Sequence, residues 1–90
     1  MTTTARSDRL LATARDEWPA LRWMRVSAAA FTGIIGNDPY GRTVAAVWRP
    51  SDGDGRLFSA SYAGGVTYIA GWNRTLRAAV RAARYAMEKP

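Results

Sequence analysis

The sequence predicts an α+β fold in the order α-β-β-β-(β)-α, with an antiparallel meander sheet packed against two helices. Three observations carry that reading. Apolar residues recur at helical spacing near both ends of the 90-residue chain. Period-two alternation fills the middle. Gly-, Asp- and Pro-rich clusters separate the alternating stretches, and short turns between successive strands make a meander. A chain of this length forms one domain, 1–90, that buries roughly 60–65% of the surface its unfolded form exposes.

Residues 1–6 are expected to be disordered. Ser7 has the chemistry of an N-cap, with Asp8 beside it where negative charge suits the helix dipole. Leu10, Leu11, Ala14 and Trp18 then share one helical face, and Pro19 stops the helix, giving a span of about 8–18. "LRWMRVSAAAFTGII" places Met24, Val26, Ala28 and Ala30 in period two and reads as a long strand over 21–34. Its alanine triplet leaves a helix open over 27–35. "GNDPYG" (36–41) is turn chemistry. The strand over 42–49 puts Val44, Ala46 and Trp48 on one face, and "PSDGDG" (50–55) turns the chain again. The strand over 56–62 groups Phe58, Ala60 and Tyr62, and "AGG" (63–65) makes a third turn. Residues 66–70 form a short fourth strand or a lead-in to the last helix, about 73–88, which Asn73 caps. Leu76, Val80, Ala83 and Met87 are its core stripe. The apolar face of the sheet needs a cover, and the two helices supply it. Trp48 and Trp72 are assigned to that core.

Composition narrows the chemistry. Cysteine and histidine are both absent. That excludes disulfides, thiol catalysis, the usual general base and the commonest metal ligand. Asp52 and Asp54 sit in a glycine-rich hairpin tip, and Asp38 in a Pro-containing turn, so turn formation accounts for all three. No enzyme, metal site or cofactor is expected. No run approaches the roughly 18 apolar residues a membrane helix needs, and "MTTTARSDRLL" lacks a signal-length apolar stretch. An intracellular, cytoplasmic location follows as an expectation.

Net charge is +6, and 12 of the 13 basic residues are arginine. "RTLRAAVRAARYAM" (74–87) concentrates them, with no Asp or Glu between Gly55 and Met87. On a helix, Arg74, Arg77, Arg81 and Arg84 fall within an arc of roughly 80°, away from the core stripe. Solvated faces usually mix both signs. The stripe is therefore read as a surface for an anionic partner, a nucleic acid or an acidic protein that handles nucleic acid, with Arg56 and Tyr85 assisting. Tyr40 and Tyr68 are the other aromatics left for stacking. Ala78, Ala82 and Ala86 make a small-residue side that suits self-association, so a homodimer is a second expectation.

Three resemblances accompany this reading. The order α-β-β-β-α, with "AARYAM" (82–87) closing the last helix, is similar to a double-stranded-RNA-binding domain. "RTVAAVWRPSDGDGRLFSASY" followed by "TLRAAVRAARYAME" resembles the hairpin-then-helix of HicB-type antitoxins, which implies a toxin partner. In size and lack of motifs the chain resembles small phage anti-CRISPR proteins, which implies inhibition of nucleic-acid machinery through an occupied surface.

Overall fold

A computed structural model describes the backbone of residues 2–88 and the side chains of residues 9–88. Five antiparallel strands, β1 (Arg22–Ala28), β2 (Phe31–Asn37), β3 (Thr43–Pro50), β4 (Leu57–Ala63) and β5 (Val66–Asn73), form one sheet in the order β1-β2-β3-β4-β5. Helices α1 (Thr2–Glu17) and α2 (Leu76–Glu88) precede and follow it. This is the expected α+β meander, with the fourth predicted strand present in full and one strand more.

The extra strand comes from dividing the predicted strand over 21–34. The chain reverses at Ala29–Ala30, so that Ala28 pairs with Phe31 and Trp23 with Gly36. No non-glycine residue among those described has positive φ, so this hairpin turns without the primed-turn chemistry that a sequence advertises. The turn is anchored from the β3–β4 loop: Ser51 N–H donates to Ala30 O at 2.9 Å, and its hydroxyl to Ala29 O at 3.3 Å.

Both helix starts also differ from expectation. α1 begins at Thr2, upstream of Ser7, so residues 2–6 are helical rather than disordered and Ser7 lies inside the helix. Threonine is only a few tenths of a kcal/mol worse than average in a helix and does not by itself block one. At α2, Asn73 is consumed by the ladder, paired with Leu57. Thr75 caps instead, its Oγ1 accepting from Ala78 N–H at 3.2 Å. The other turns follow the sequence reading. Asp38 Oδ1 accepts from the N–H groups of Tyr40 and Arg42, each at 2.9 Å. Gly64 and Gly65 supply the two positive φ angles that a type I′ hairpin turn needs.

Both helices pack on one face of the sheet. The core there joins Ala14, Trp18 and Leu21 to Trp23, Ile34, Ala45 and Val47, and to Ala79, Val80 and Ala83 of α2. Leu76 and Met87 pack against it half-buried, as the predicted stripe requires. Trp23 Nε1–H donates to Trp18 O at 3.1 Å, which satisfies a buried indole and pins the end of α1 to β1.

The predicted apolar face is on the other side. Val26, Ala46, Trp48, Phe58, Ala60 and Tyr62 alternate with the helix-covered residues, so they line the face that no helix covers. Trp48 and Phe58 touch at 4.9 Å between ring centroids, and Phe58 and Trp72 at 5.1 Å. Trp72 is exposed and Trp48 half-buried, which corrects their assignment to the helix-covered core. The reason is that both sheet faces are apolar, and alternation alone does not say which one the helices take.

Two substitutions test this packing. A Cβ on Gly33 would strike the Val47 carbonyl and come within 2.8 Å of Trp48 Cα and Cβ. Gly33→Ala therefore lowers stability in urea titration by about 1–3 kcal/mol. The hydroxyls of Ser59 and Ser61 are fully buried beneath α2 and find no hydrogen-bond partner among the described residues. Ser59→Ala removes an unsatisfied group and raises the melting temperature, by an amount corresponding to about 1 kcal/mol.

Candidate anion-binding site

The arginines of α2 meet carboxylates supplied by α1. Arg77 Nη1–H donates to Asp16 Oδ2 at 2.7 Å and to Glu17 Oε1 at 2.9 Å. Arg81 donates to the same glutamate, through Nη2 to Oε1 at 2.7 Å and through Nε to Oε2 at 3.3 Å. Arg84 donates through Nε to Glu88 at 2.9 Å and through Nη1 to the Glu17 carbonyl at 3.2 Å, with its guanidinium 5.8 Å from the Trp18 ring centroid. Arg56 is held by Asp54 at 2.8 Å and lies 5.7 Å from the centroid of Trp72.

These pairs correct the expectation of a bare cationic stripe. Within α2 the sequence has no acid before Glu88, but the fold returns Asp16 and Glu17 from about sixty residues away. Tyr85 is exposed beside the arginines. Ala78, Ala82 and Ala86 are half-buried along the shoulder of α2 that faces away from α1.

The electrostatics agree with the geometry. The hydrogen bonds from Arg81 and then Arg77 hold the Glu17 carboxyl below the usual glutamate range, against a smaller opposing effect of desolvation. The bonds to Asp16 and Glu17 raise Arg77, and the bond to Glu17 raises Arg81. At Asp38, desolvation acts upward, but hydrogen bonds from Arg42 and Tyr40 together outweigh it and leave the carboxyl lowered.

Three other arginines are differently placed. The side chains of Arg25 on β1, Arg49 on β3 and Arg74 in the β5–α2 link make no ion pair or hydrogen bond among the described residues. All three line one cleft of about 620 Å³. It opens on the helix-covered side of the sheet. Arg25 lies two residues beyond buried Trp23, and Arg49 two beyond buried Val47, so both point to that side. Register fixes their spacing: Arg25 pairs with Ile34 and Arg49 with Thr32, on either side of β2. Their backbones are therefore on the order of 12 Å apart. Thr32 adds a hydroxyl, and Ile34, Val47, Leu57 and Leu76 make an aliphatic floor. No carboxylate lines this cleft among the described residues.

Of the nominated arginines, then, the structure brings Arg74 to this cleft and engages Arg56, Arg77, Arg81 and Arg84 elsewhere. Arg25 and Arg49 were missed. Their signal is in the sequence: each follows a large apolar residue at period two, on the pleat opposite the more conspicuous apolar alternation. Three unpaired guanidinium forks can hold phosphate or carboxylate oxygens by charge-assisted, bidentate bonds. Among the described residues, no group of three acidic side chains is placed to hold a metal ion. Compared with known protein families, characterised proteins and solved structures, the chain matches none.

The Glu17 clamp has a pH signature. Its folded value lies below the ordinary 4.5, so the stabilisation is complete above that value and is lost as pH falls through the folded one. Glu17→Gln lowers the melting temperature at neutral pH. The wild-type and variant curves converge on acidification below 4.5, which thermal melts across that range read directly.

Proposed function

We propose that the protein is a small non-enzymatic binding module that holds a nucleic-acid strand in the cleft of Arg25, Arg49 and Arg74. The observation that carries this reading is the convergence on one cleft of three arginines, from three separate elements, that are unpaired among the described residues. Arginines whose backbones stand on the order of 12 Å apart reach across several charges of a polyanion, whereas a single small anion engages one or two of them. The net charge of +6 steers such a partner toward the surface. The aliphatic floor offers apolar contact to a sugar or base. Five carboxylates, Asp16, Glu17, Asp38, Asp54 and Glu88, are occupied by arginines, which leaves them poor candidates for acid–base work. In this reading the chain acts on nucleic-acid machinery by occupying the strand, as a small phage-type inhibitor would.

The test is oligonucleotide binding measured against salt. Three phosphate contacts predict a slope of log K on log salt of about −2 for a single strand and about −2.7 for a duplex. Arg25→Glu with Arg49→Glu abolishes binding and leaves stability within about 0.5 kcal/mol, because neither side chain is paired among the described residues. Failure of the wild-type protein to bind any oligonucleotide at low salt ends the reading. Binding to polyglutamate alone would assign the cleft to an acidic protein instead.

A further inference from the structure

The sheet has a second apolar face, and neither helix covers it. Along β1, Met24 and Val26 point to this side, and on β2 Phe31 and Ile35, paired in register with Ala28 and Met24. Across β3, β4 and β5 it continues through the Trp48–Phe58–Trp72 cluster to Ile69. Ile69 is 61% exposed, Trp72 50% and Met24 46%, so side chains of core type are left in water. Scattered exposed apolar residues need no explanation, but a contiguous sheet face does.

We propose that this face pairs with the same face of a second copy, making a two-fold dimer whose two sheets stack as a sandwich with the helices outside. Three features select a second copy as the occupant. The first is area. Five strands of seven or eight residues span roughly 24 by 23 Å, about 550 Å² in projection. Side-chain relief raises the accessible area toward the ~800 Å² per partner of a standard stable interface. The second is charge. A protein of net charge +6 associates with itself only where the contact is nearly neutral. The central strands present no charged side chain on this face: Arg25 and Arg49 point to the opposite side. Arg22 lies at the β1 rim, and Arg56, over Trp72, is neutralised by Asp54.

The third feature is the shape of the aromatic cluster. Its rings meet at interplanar angles of 45° and 74°, so they pack into one another as a core does. A base-stacking platform instead displays separate ring faces beside free cations, whereas Arg56, the cation over Trp72, is already held by Asp54. Dimerisation here replaces the alanine shoulder of α2 as the association surface, and it is independent of the cleft on the far side of the sheet.

Sedimentation equilibrium of the full chain, from micromolar to about 100 µM, tests the proposal. The expected species has twice the 9.9 kDa chain mass. Ile69→Arg weakens association by about 100-fold or more, because it places an unpaired charge in the contact. Both Ile69 and Met24 are exposed in the single chain, so Ile69→Arg and Met24→Arg keep its circular dichroism and leave a folded monomer. Arg25→Glu with Arg49→Glu still dimerises, which separates this test from that of the cleft. A monomer across the whole concentration range overturns the proposal. So does a dimer that survives both Ile69→Arg and Met24→Arg, or a monomer whose oligonucleotide binding is lost on Ile69→Arg.

Discussion

The seam between α2 and the sheet is made of small side chains, and much else in the molecule depends on it. Ala79 and Ala83 of α2, and Ala45, Ser59 and Ser61 of the strands, are fully buried. With little between the two backbones, the helix lies close to β4, at the cost of two buried hydroxyls that have no partner among the described residues. The opposite pleat of the same strands carries Trp48, Phe58 and Tyr62. A helix on that side would be held off by those rings and would leave voids between them, which close-packed interiors do not tolerate. The steric choice of face therefore leaves the bulky residues uncovered.

The seam also fixes the roll of α2. With Ala79 and Ala83 turned to the sheet, Arg77, Arg81 and Arg84 come round to one flank. That flank is where α1 ends, held by the Trp23–Trp18 hydrogen bond. Glu17 then lies between two guanidinium groups, its side chain only 11% exposed against 47% and 68% for Arg77 and Arg81. A largely covered carboxylate sharing two arginines is a better clasp than an exposed pair, because less of the attraction is lost to solvent. The arginines that look like a docking surface in the sequence thus join the two helices. Among the described residues, the arginines left without a carboxylate lie on α1, on the strands and in the β5–α2 link.

The legible parts of the fold are those with local causes. The α2 stripe, the Asp38 turn and the Gly64–Gly65 hairpin follow from spacing and turn chemistry within a few residues. The Ala29–Ala30 reversal does not, because alanine carries no turn signal and the anchor, Ser51, is about twenty residues away. The same distinction separates the arginines. Arg74, Arg77, Arg81 and Arg84 stand out on a helical wheel, yet the pairing of Arg77 and Arg81 depends on where α1 docks, a tertiary fact. Arg25 and Arg49 are inconspicuous on separate strands. They come together only once the meander sets β1 and β3 on either side of β2. The face the helices choose was likewise hidden, since Trp23, Ile34 and Val47 alternate as regularly as Met24, Ile35 and Trp48.

The two surfaces constrain each other through the pleat. Arg25 and Arg49 lie on the opposite side of their strands from Met24, Val26 and Trp48, so whatever covers the apolar face leaves the cleft open. Stacked sheets sit about 10 Å apart, which would put the two clefts of a dimer on outer surfaces at least ~20 Å from each other and facing away. A short segment of nucleic acid could not reach both. A long strand that bends round the dimer, or two strands brought together by it, could, and each added contact would then act at high effective concentration. Apparent affinity would rise with oligonucleotide length only past the reach of a single cleft. Such a threshold is what a two-sided cationic dimer would produce and what a monomer with one cleft would not.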